Sequence, residues 1–349
     1  MQTKVVLQDE KNIDYATLKE AGDIIKKGGL VAFPTETVYG LGGDALNPES
    51  SRKIYEAKGR PSDNPLIVHV CEKEDVALLT SCVSEEAKAV MEAFWPGPLT
   101  IILPKSDKVP YETTGGLETV AIRMPSHAVA REFIRAAGGY VAAPSANLSG
   151  RPSPTLACYV LEDMDGRIDM ILDGGDIPIG LESTIVDLSG DKPTLLRPGV
   201  ITPDMLEEVL GEVEIDPTIL EGNSKARPKA PGMKYRHYAP KGDMLLIEGT
   251  SEKVVEEINR SLAKDKEAGI KAGVIATREN APFYNSDIVK ILGGKDETDK
   301  IAASLYRCLR EMDDEGVEKI YSESFTTEGI GHAIMNRLLK AAGYKKITL

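Results

Sequence analysis

Apolar residues recur along the chain at two spacings, one helical and one strand-like, and their alternation lays out the fold. Leu18, Ala21, Ile24 and Ile25 share one face of a helix predicted within residues 14–28, and Gly28-Gly29 supplies its stop. Leu30-Val-Ala-Phe33 is a short apolar run of the kind that forms a buried strand. It leads into Pro34-Thr-Glu-Thr-Val-Tyr-Gly-Leu-Gly-Gly43, whose glycines and hydroxyls predict a ligand-contacting loop after a strand. Residues 50–57 have helical character ending at Gly59, and Pro61 and Pro65 stiffen the exit into a strand at Leu66-Ile-Val-His-Val70. A helix over 84–94 and a Pro96-Gly-Pro98 turn then deliver Leu99-Thr-Ile-Ile-Leu103, a strand of the type buried on both faces. Further strands are expected at 119–124, 139–143, 170–173, 184–188 and 194–197, with helices at 126–137 and 203–210.

From residue 243 the alternation becomes regular: strand 244–247, helix 251–264, strands 272–276 and 288–291, helix 299–312, strand 317–321 and helix 330–341. That order predicts a parallel, doubly wound sheet. Between the halves periodicity weakens, and residues 223–240 combine Pro and Gly with Lys225, Arg227, Lys229, Lys234, Arg236, Tyr235, His237 and Tyr238, with no acidic residue. The division expected is a catalytic domain over 1–211, a linker over 212–241 that folds over an anionic site, and a smaller Rossmann-like domain over 242–349. No catalytic constellation is visible in the last of these, which reads as a regulatory or interaction domain.

The length of 349 residues agrees with two domains, and 42% hydrophobic with 28% charged residues is ordinary globular composition. A net charge of −13 argues against a general nucleic-acid coat and against an anionic membrane surface, while leaving room for a local basic patch. Four scattered cysteines without a Cys-x-x-Cys fit a reducing compartment and form no zinc knuckle. With no apolar run of about 18 residues and no signal-like start, a cytoplasmic protein is expected.

Gly40-Leu-Gly-Gly43 does not fit the dinucleotide fingerprint, and a Walker-type P-loop, a His-Glu-x-x-His and a Gly-x-Ser-x-Gly elbow are all missing from the sequence. What remains in the first half is a set of cations, Lys58, Arg60, Arg123 and Arg197, and of donors, Thr35, Ser145, Asn147 and Ser183, nearly all at strand ends. Arg123 closes an apolar run and so calls for an anionic partner. Such a set binds and orients anions, and it catalyses by positioning and by stabilising charge.

The Pro34-Thr-Glu-Thr-Val-Tyr-Gly-Leu41 loop, Lys58-Gly-Arg60 followed by Asn64-Pro65 and His69, Arg123, Ser145-Ala-Asn147, Glu182-Ser-Thr-Ile-Val-Asp187 and Arg197-Pro-Gly199 together resemble the YrdC-like threonylcarbamoyl-AMP synthase family. The stretch Pro231-Gly-Met-Lys-Tyr-Arg-His-Tyr-Ala-Pro240 resembles the linker of its two-domain form. The resemblance implies a twisted mixed-sheet N-terminal domain with a concave site. It also implies a nucleotidyltransferase that makes threonylcarbamoyl-adenylate and pyrophosphate from L-threonine, bicarbonate and ATP, with Mg2+ accompanying ATP and no dedicated protein metal site. The product would pass to tRNA threonylcarbamoyl-transfer proteins. The residues leave open whether tRNA touches this chain, and nothing marks a membrane partner. Carried over residue by residue, Lys58, Arg60, Asn64, Thr119, Ser145, Asn147, Arg151, Arg197 and Tyr238 look like ATP contacts, Lys58 and Arg60 being the catalytic pair. Thr35, His69, Arg123, Ala143 and Ser183 look like the threonine side. Two other readings compete with this one. A binding module for RNA without turnover is disfavoured by the acidic balance; a carbamoyl-transfer enzyme of the hydrogenase-maturation type lacks its zinc-finger cysteine pairs here.

Overall fold

The computed structural model describes residues 2–217, 219, 228–231 and 237–349; the expected linker residues 218, 220–227 and 232–236 lie outside these. The chain divides into two compact units, one made of Met1–Ser149, Ser153–Pro178 and Glu182–Tyr235, the other of Arg236–Leu349 together with Gly150–Pro152 and Ile179–Leu181.

Among the described residues, eleven strands form the sheet of the N-terminal unit. Along the chain they are β1 (Lys4–Leu7), β2 (Val31–Phe33), β3 (Gly40–Asp44), β4 (Ile67–His69), β5 (Leu99–Pro104), β6 (Thr119–Arg123), β7 (Val141–Ala143), β8 (Met170–Asp173), β9 (Thr184–Asp187), β10 (Thr194–Arg197) and β11 (Glu214–Ile215). Their order across the sheet is β1-β8-β2-β3-β7-β4-β6-β5-β9-β10-β11, and parallel and antiparallel pairings are mixed. The segment read as a loop over 34–43 is a loop only to residue 39, because Gly40–Asp44 pairs antiparallel with β2. Glycine makes that strand possible: a Cβ on Gly42 would lie 2.8 Å from Val141 Cγ1, and one on Gly43 3.0 Å from Ile54 Cδ1. The sheet also runs past residue 211, since β11 pairs with β10.

Successive residues of each strand face opposite sides of the sheet. On one side Ala32, Leu41, Val68, Ile101, Ile122 and Val186 join the large core under the helices Pro48–Lys58, Glu85–Phe94, Ala157–Met164 and Pro203–Leu210. On the other, helices Tyr15–Lys26 and Ala128–Ala136 cover β2, β7 and β8 through Val31, Phe33, Val141, Ala143 and Met170. Beyond β7 that second side carries a separate small cluster, Ile67, Ile102, Ala121, Ile185, Leu196 and the linker's Ala230.

In the C-terminal unit, β12 (Asp243–Glu248), β13 (Ala272–Thr277), β14 (Val289–Gly293), β15 (Lys319–Glu323) and β16 (Lys346–Thr348) form a wholly parallel sheet in the order β14-β13-β15-β12-β16. Helices Ser251–Glu267, Thr298–Asp314 and Gly331–Ala341 make the crossovers. Parallel pairing and the helices match the sequence expectation, and β15 lies between β12 and β13.

Gly22 sits where the helix Tyr15–Lys26 crosses the end of Ala128–Ala136; a Cβ there would lie 2.4 Å from the Ala136 carbonyl oxygen. In an open helix Gly→Ala gains about 1 kcal/mol. Here the methyl meets rigid backbone, and overpacking of that kind costs about 1–3 kcal/mol. We expect Gly22→Ala to lower the urea midpoint; an unchanged or raised midpoint would mean that the two helices separate freely.

Candidate active site

Beyond β7, the side of the sheet that helices Tyr15–Lys26 and Ala128–Ala136 leave clear carries two adjacent rows of side chains, one polar and one apolar, and strand register builds both. His69 on β4 pairs with Arg123 on β6, which pairs with Thr100 on β5. Two residues along, on the same face, Ile67 pairs with Ala121 and Ala121 with Ile102. Thr100 and Ser183 then share a hydroxyl hydrogen bond of 2.7 Å, and Arg197 continues the polar row by donating from Nη2 to Ser183 Oγ at 3.0 Å and from Nε to the Ser183 carbonyl at 3.0 Å. Ala230 covers the apolar row, fully buried, and Arg197 Nη1 donates to the Pro231 carbonyl at 3.3 Å. Lys229 pairs with the buried Asp187 at 3.2 Å.

Arg123 has the anionic partner its setting demands: the nearly buried Glu36 lies 2.7 Å from Nη2. The same guanidinium donates from Nη1 to Thr37 Oγ1 at 2.8 Å and from Nε to the Gly97 carbonyl at 3.4 Å, so the 34–39 loop and the Pro-Gly-Pro turn both close on it. Thr35 holds that loop in shape. Its Oγ1 donates to the Val38 carbonyl at 2.6 Å and accepts from the Thr37 and Val38 amides at 3.2 Å each. Tyr39 anchors the loop's far end, donating to the Gly175 carbonyl at 2.8 Å and accepting from the Gly174 amide at 3.0 Å.

His69 is buried with its ring edge-on to Phe33 and Nδ1 3.1 Å from the Ile67 carbonyl. Burial first, and then the Arg123 charge, push its pKa down to about 3. Its imidazole is neutral at physiological pH, so it contributes shape and hydrogen bonding, with no positive charge.

A second group gathers at the end of helix Pro48–Lys58, where Gly59 adopts a left-handed conformation (φ 59°) that terminates the helix. Lys58 turns inward and is buried, and its ammonium donates to the Ser145 and Asn147 carbonyls at 2.5 Å each. Ser145 Oγ donates to Asn147 Oδ1 at 2.5 Å, and Asn147 Nδ2 to the Leu148 carbonyl at 2.8 Å. Arg60 reaches the Asn64 and Pro65 carbonyls at 3.3 and 3.1 Å. The two groups flank one strand pair, since Ile67 of β4 pairs with Ala143 of β7 and the bridge from Gly40 to Ser145 extends it.

Of the residues singled out from the sequence, His69, Arg123, Ser183 and Arg197 thus share one floor, with Thr35 supporting the loop closing on Arg123. Lys58, Arg60, Asn64, Ser145 and Asn147 form the neighbouring group. Thr119 opens β6 opposite Pro104. Arg151 and Tyr238 fall in the C-terminal unit, where Arg151 lies 3.7 Å from Asp313 and Tyr238 stacks on Tyr306 at 5.1 Å. Three contributors escaped sequence reasoning: Thr100, Glu36 and Ala230. A lone threonine within an otherwise apolar strand was the available signal for Thr100. Among the described residues no group of three or more His, Cys, Asp or Glu is arranged to hold a metal ion.

A cation-rich, water-excluding floor at strand ends of a mixed α/β sheet defines a site for a small anionic or zwitterionic substrate. Two family descriptions match the sequence: "Telomere recombination" over residues 23–199 and "Threonylcarbamoyl-AMP synthase, C-terminal domain" over residues 201–343. The chain is 47% identical to the threonylcarbamoyl-AMP synthase of Pyrococcus abyssi, over 98% of this chain and 99% of that one. It is likewise 47% identical to the Bacillus subtilis protein of that name, over 99% of this chain and 100% of that one. The crystal structure of P. abyssi Sua5 complexed with L-threonine superposes with a TM-score of 0.94 at 46% identity, covering 99% of this chain and 100% of that one. The chain belongs to the threonylcarbamoyl-AMP synthase family.

Depression of the His69 pKa links folding to pH. The unfolded histidine binds a proton near pH 6.5 and the folded one only near pH 3, so the unfolded state carries more protons between those values. The contribution of His69 to stability is therefore full above pH 6.5 and falls by about 1.4 kcal/mol per unit as the pH drops toward 3. In denaturant titrations at pH 7 and pH 5, a His69→Gln variant should lose less stability than the parent by about 2 kcal/mol. Equal losses would show that His69 is solvated.

Proposed function

We propose that the chain is an L-threonylcarbamoyladenylate synthase, forming threonylcarbamoyl-AMP and pyrophosphate from L-threonine, bicarbonate and ATP. One observation carries the reading within the site: the polar row His69-Arg123-Thr100-Ser183-Arg197 brings the buried Arg123 guanidinium and two hydroxyls to one face, matched to an amino acid with a hydroxyl side chain and a carboxylate, and ends on a second buried guanidinium, Arg197, for the nucleotide. The P. abyssi relative, which was crystallised with L-threonine, supports it independently.

The chemistry asks for no protein nucleophile. The threonine amine attacks the bicarbonate carbon, and loss of water leaves a carbamate. A carbamate oxygen then attacks the α-phosphorus of ATP, and the bond to the β-phosphate oxygen breaks as pyrophosphate departs. The protein's part is to hold the reactants in line, to spread phosphate charge and to keep water from the carbamate. On this reading the threonine carboxylate takes the place of Glu36 on Arg123, and Thr35, His69, Ala143 and Ser183 shape the rest of the amino-acid end. Lys58, Arg60, Asn64, Thr119, Ser145, Asn147 and Arg197 serve ATP; Arg151 and Tyr238 are assigned there by resemblance alone. Mg2+ would accompany ATP and share in spreading the phosphate charge, with no dedicated protein site. Threonylcarbamoyl-AMP, an activated acyl donor, would pass to tRNA threonylcarbamoyl-transfer proteins.

Pyrophosphate release from ATP should require threonine and bicarbonate together; equal release with either withheld overturns the reading. Arg60→Ala should cut that release by at least a hundredfold with little loss of fold, because its side chain is only partly buried. Lys58→Ala should lose activity and also stability, since two carbonyls lose their donor. Wild-type turnover in both variants would remove the pair from catalysis.

Ala230 makes the linker part of the floor. Ala230→Arg, which forces a charged chain against the buried apolar row, should lower kcat/KM by at least tenfold and lower the urea midpoint as well. Unchanged kinetics would reduce the linker to a tether.

A further inference from the structure

The C-terminal unit has a polar crevice of its own, of about 240 Å3, at the carboxyl ends of its parallel strands. Chain direction creates it. From β12 the chain crosses over β15 to reach β13, and from β15 it crosses over β12 to reach β16. Right-handed crossovers running in opposite directions leave from opposite faces of the sheet, so the loops after the neighbouring strands β12 and β15 part at this point. Such a switch point is where open parallel sheets bind ligands. The wall is formed by Gly249 and Ser251 after β12, Thr277 at the end of β13 and Asn280 after it, and Glu323 to Thr326 at the end of β15.

Glu323 is the unusual group there. It is buried, and its carboxylate accepts from the Thr277 amide (3.2 Å), Thr277 Oγ1 (3.0 Å), Asn280 Nδ2 (3.0 Å) and the Tyr284 hydroxyl (2.9 Å). Burial raises its pKa above the usual carboxylate range, and the hydrogen bonds from Tyr284, Thr277 and Asn280 work against that rise. All four donors are neutral, and no Lys, Arg or His among the described residues pairs with it. A cation arriving through the crevice would offset the cost of keeping that carboxylate charged in a buried setting, and the crevice is the open approach.

Across the crevice the signs reverse. Lys295 Nζ donates to Ser251 Oγ at 2.6 Å, at the start of the 17-residue helix Ser251–Glu267. Thr250, the residue before that helix, makes no side-chain cap, so the first-turn amides lack that partner. With Asp296 also in the wall, the lining carries two carboxylates to one ammonium, which disfavours a phosphate dianion. Val254 and Phe325 add apolar surface. The volume lies below the ~300 Å3 at which sites for drug-sized molecules begin.

We propose that this crevice binds a free α-amino acid, its ammonium on Glu323 and its carboxylate between Lys295 and the first turn of the helix. The site is separate from the threonine floor of the N-terminal unit and does not rest on the function proposed for that floor.

Calorimetric titration of the full chain with each standard amino acid in turn, and with inorganic phosphate and AMP as class controls, tests the assignment. At least one amino acid should bind saturably, or threonine should bind with a second equivalent. That binding should weaken tenfold or more in both Lys295→Ala and Glu323→Gln, with threonine-dependent pyrophosphate release unchanged. Lys295 is exposed, so its variant carries the test alone if Glu323→Gln does not fold. No amino-acid binding beyond one equivalent of threonine, or binding indifferent to Lys295→Ala, overturns the proposal. Phosphate or AMP binding lost on Lys295→Ala, without amino-acid binding, overturns the ligand class.

Discussion

Register across β4, β6, β5 and β9 is the constraint on which the site depends. With a side-chain period of two, His69, Arg123 and Thr100 share a face only because Ile67, Ala121 and Ile102 pair two residues earlier or later in the same strands. A one-residue slip would turn Val68 and Ile122 out of the main core and drive a guanidinium into it. The apolar core on the opposite side therefore enforces the polar row. Neither helix of the site side extends past β7, so the floor is closed by other segments, the 34–39 loop on Arg123 and Ala230 on the apolar row.

Electrostatics then decides what the floor accepts. Arg123 would be intolerable this deep without an anion, and Glu36 supplies one at 2.7 Å. A ligand carboxylate that replaces Glu36 keeps the charge balance, so binding exchanges one buried pair for another and avoids creating an unpaired charge. His69 adds no third charge, because burial and Arg123 both favour its neutral form. Lys58 follows a different rule: its ammonium is spread over two backbone carbonyls, which locks the Ser145–Asn147 loop against the end of a helix. The same lysine can thus fix the shape of the loop that would border the nucleotide.

Much of this was legible in the residues. Gly59 ends a helix, as its position after Lys58 suggests, and the run ending at Arg123 does carry an anionic partner. Less visible were features that depend on long-range pairing. Gly40–Asp44 reads as loop by composition, yet it pairs with β2 as a strand, and glycine stands at 42 and 43 because Val141 and Ile54 approach too closely for a Cβ there. Thr100 gains meaning only once register sets it beside Arg123 and within reach of Ser183. Ala230 lies in a stretch whose charges draw attention, and its small apolar side chain is what fits the floor.

The C-terminal unit shows the same reasoning running the other way. Its residues offered no recognisable motif, since a carboxylate, an asparagine and two hydroxyls spread over three loops have no fixed spacing in the chain. Strand order brings them together: β15 inserted beside β12 sets Glu323 across from the helix that starts at Ser251. A doubly wound sheet needs only hydrophobic strands and crossover helices to be stable. It does not need a buried carboxylate ringed by four neutral donors. Thr277, Asn280 and Tyr284 could stabilise their loops as well by bonding to backbone, and their convergence on Glu323 is therefore better explained by what that carboxylate faces than by the fold it belongs to.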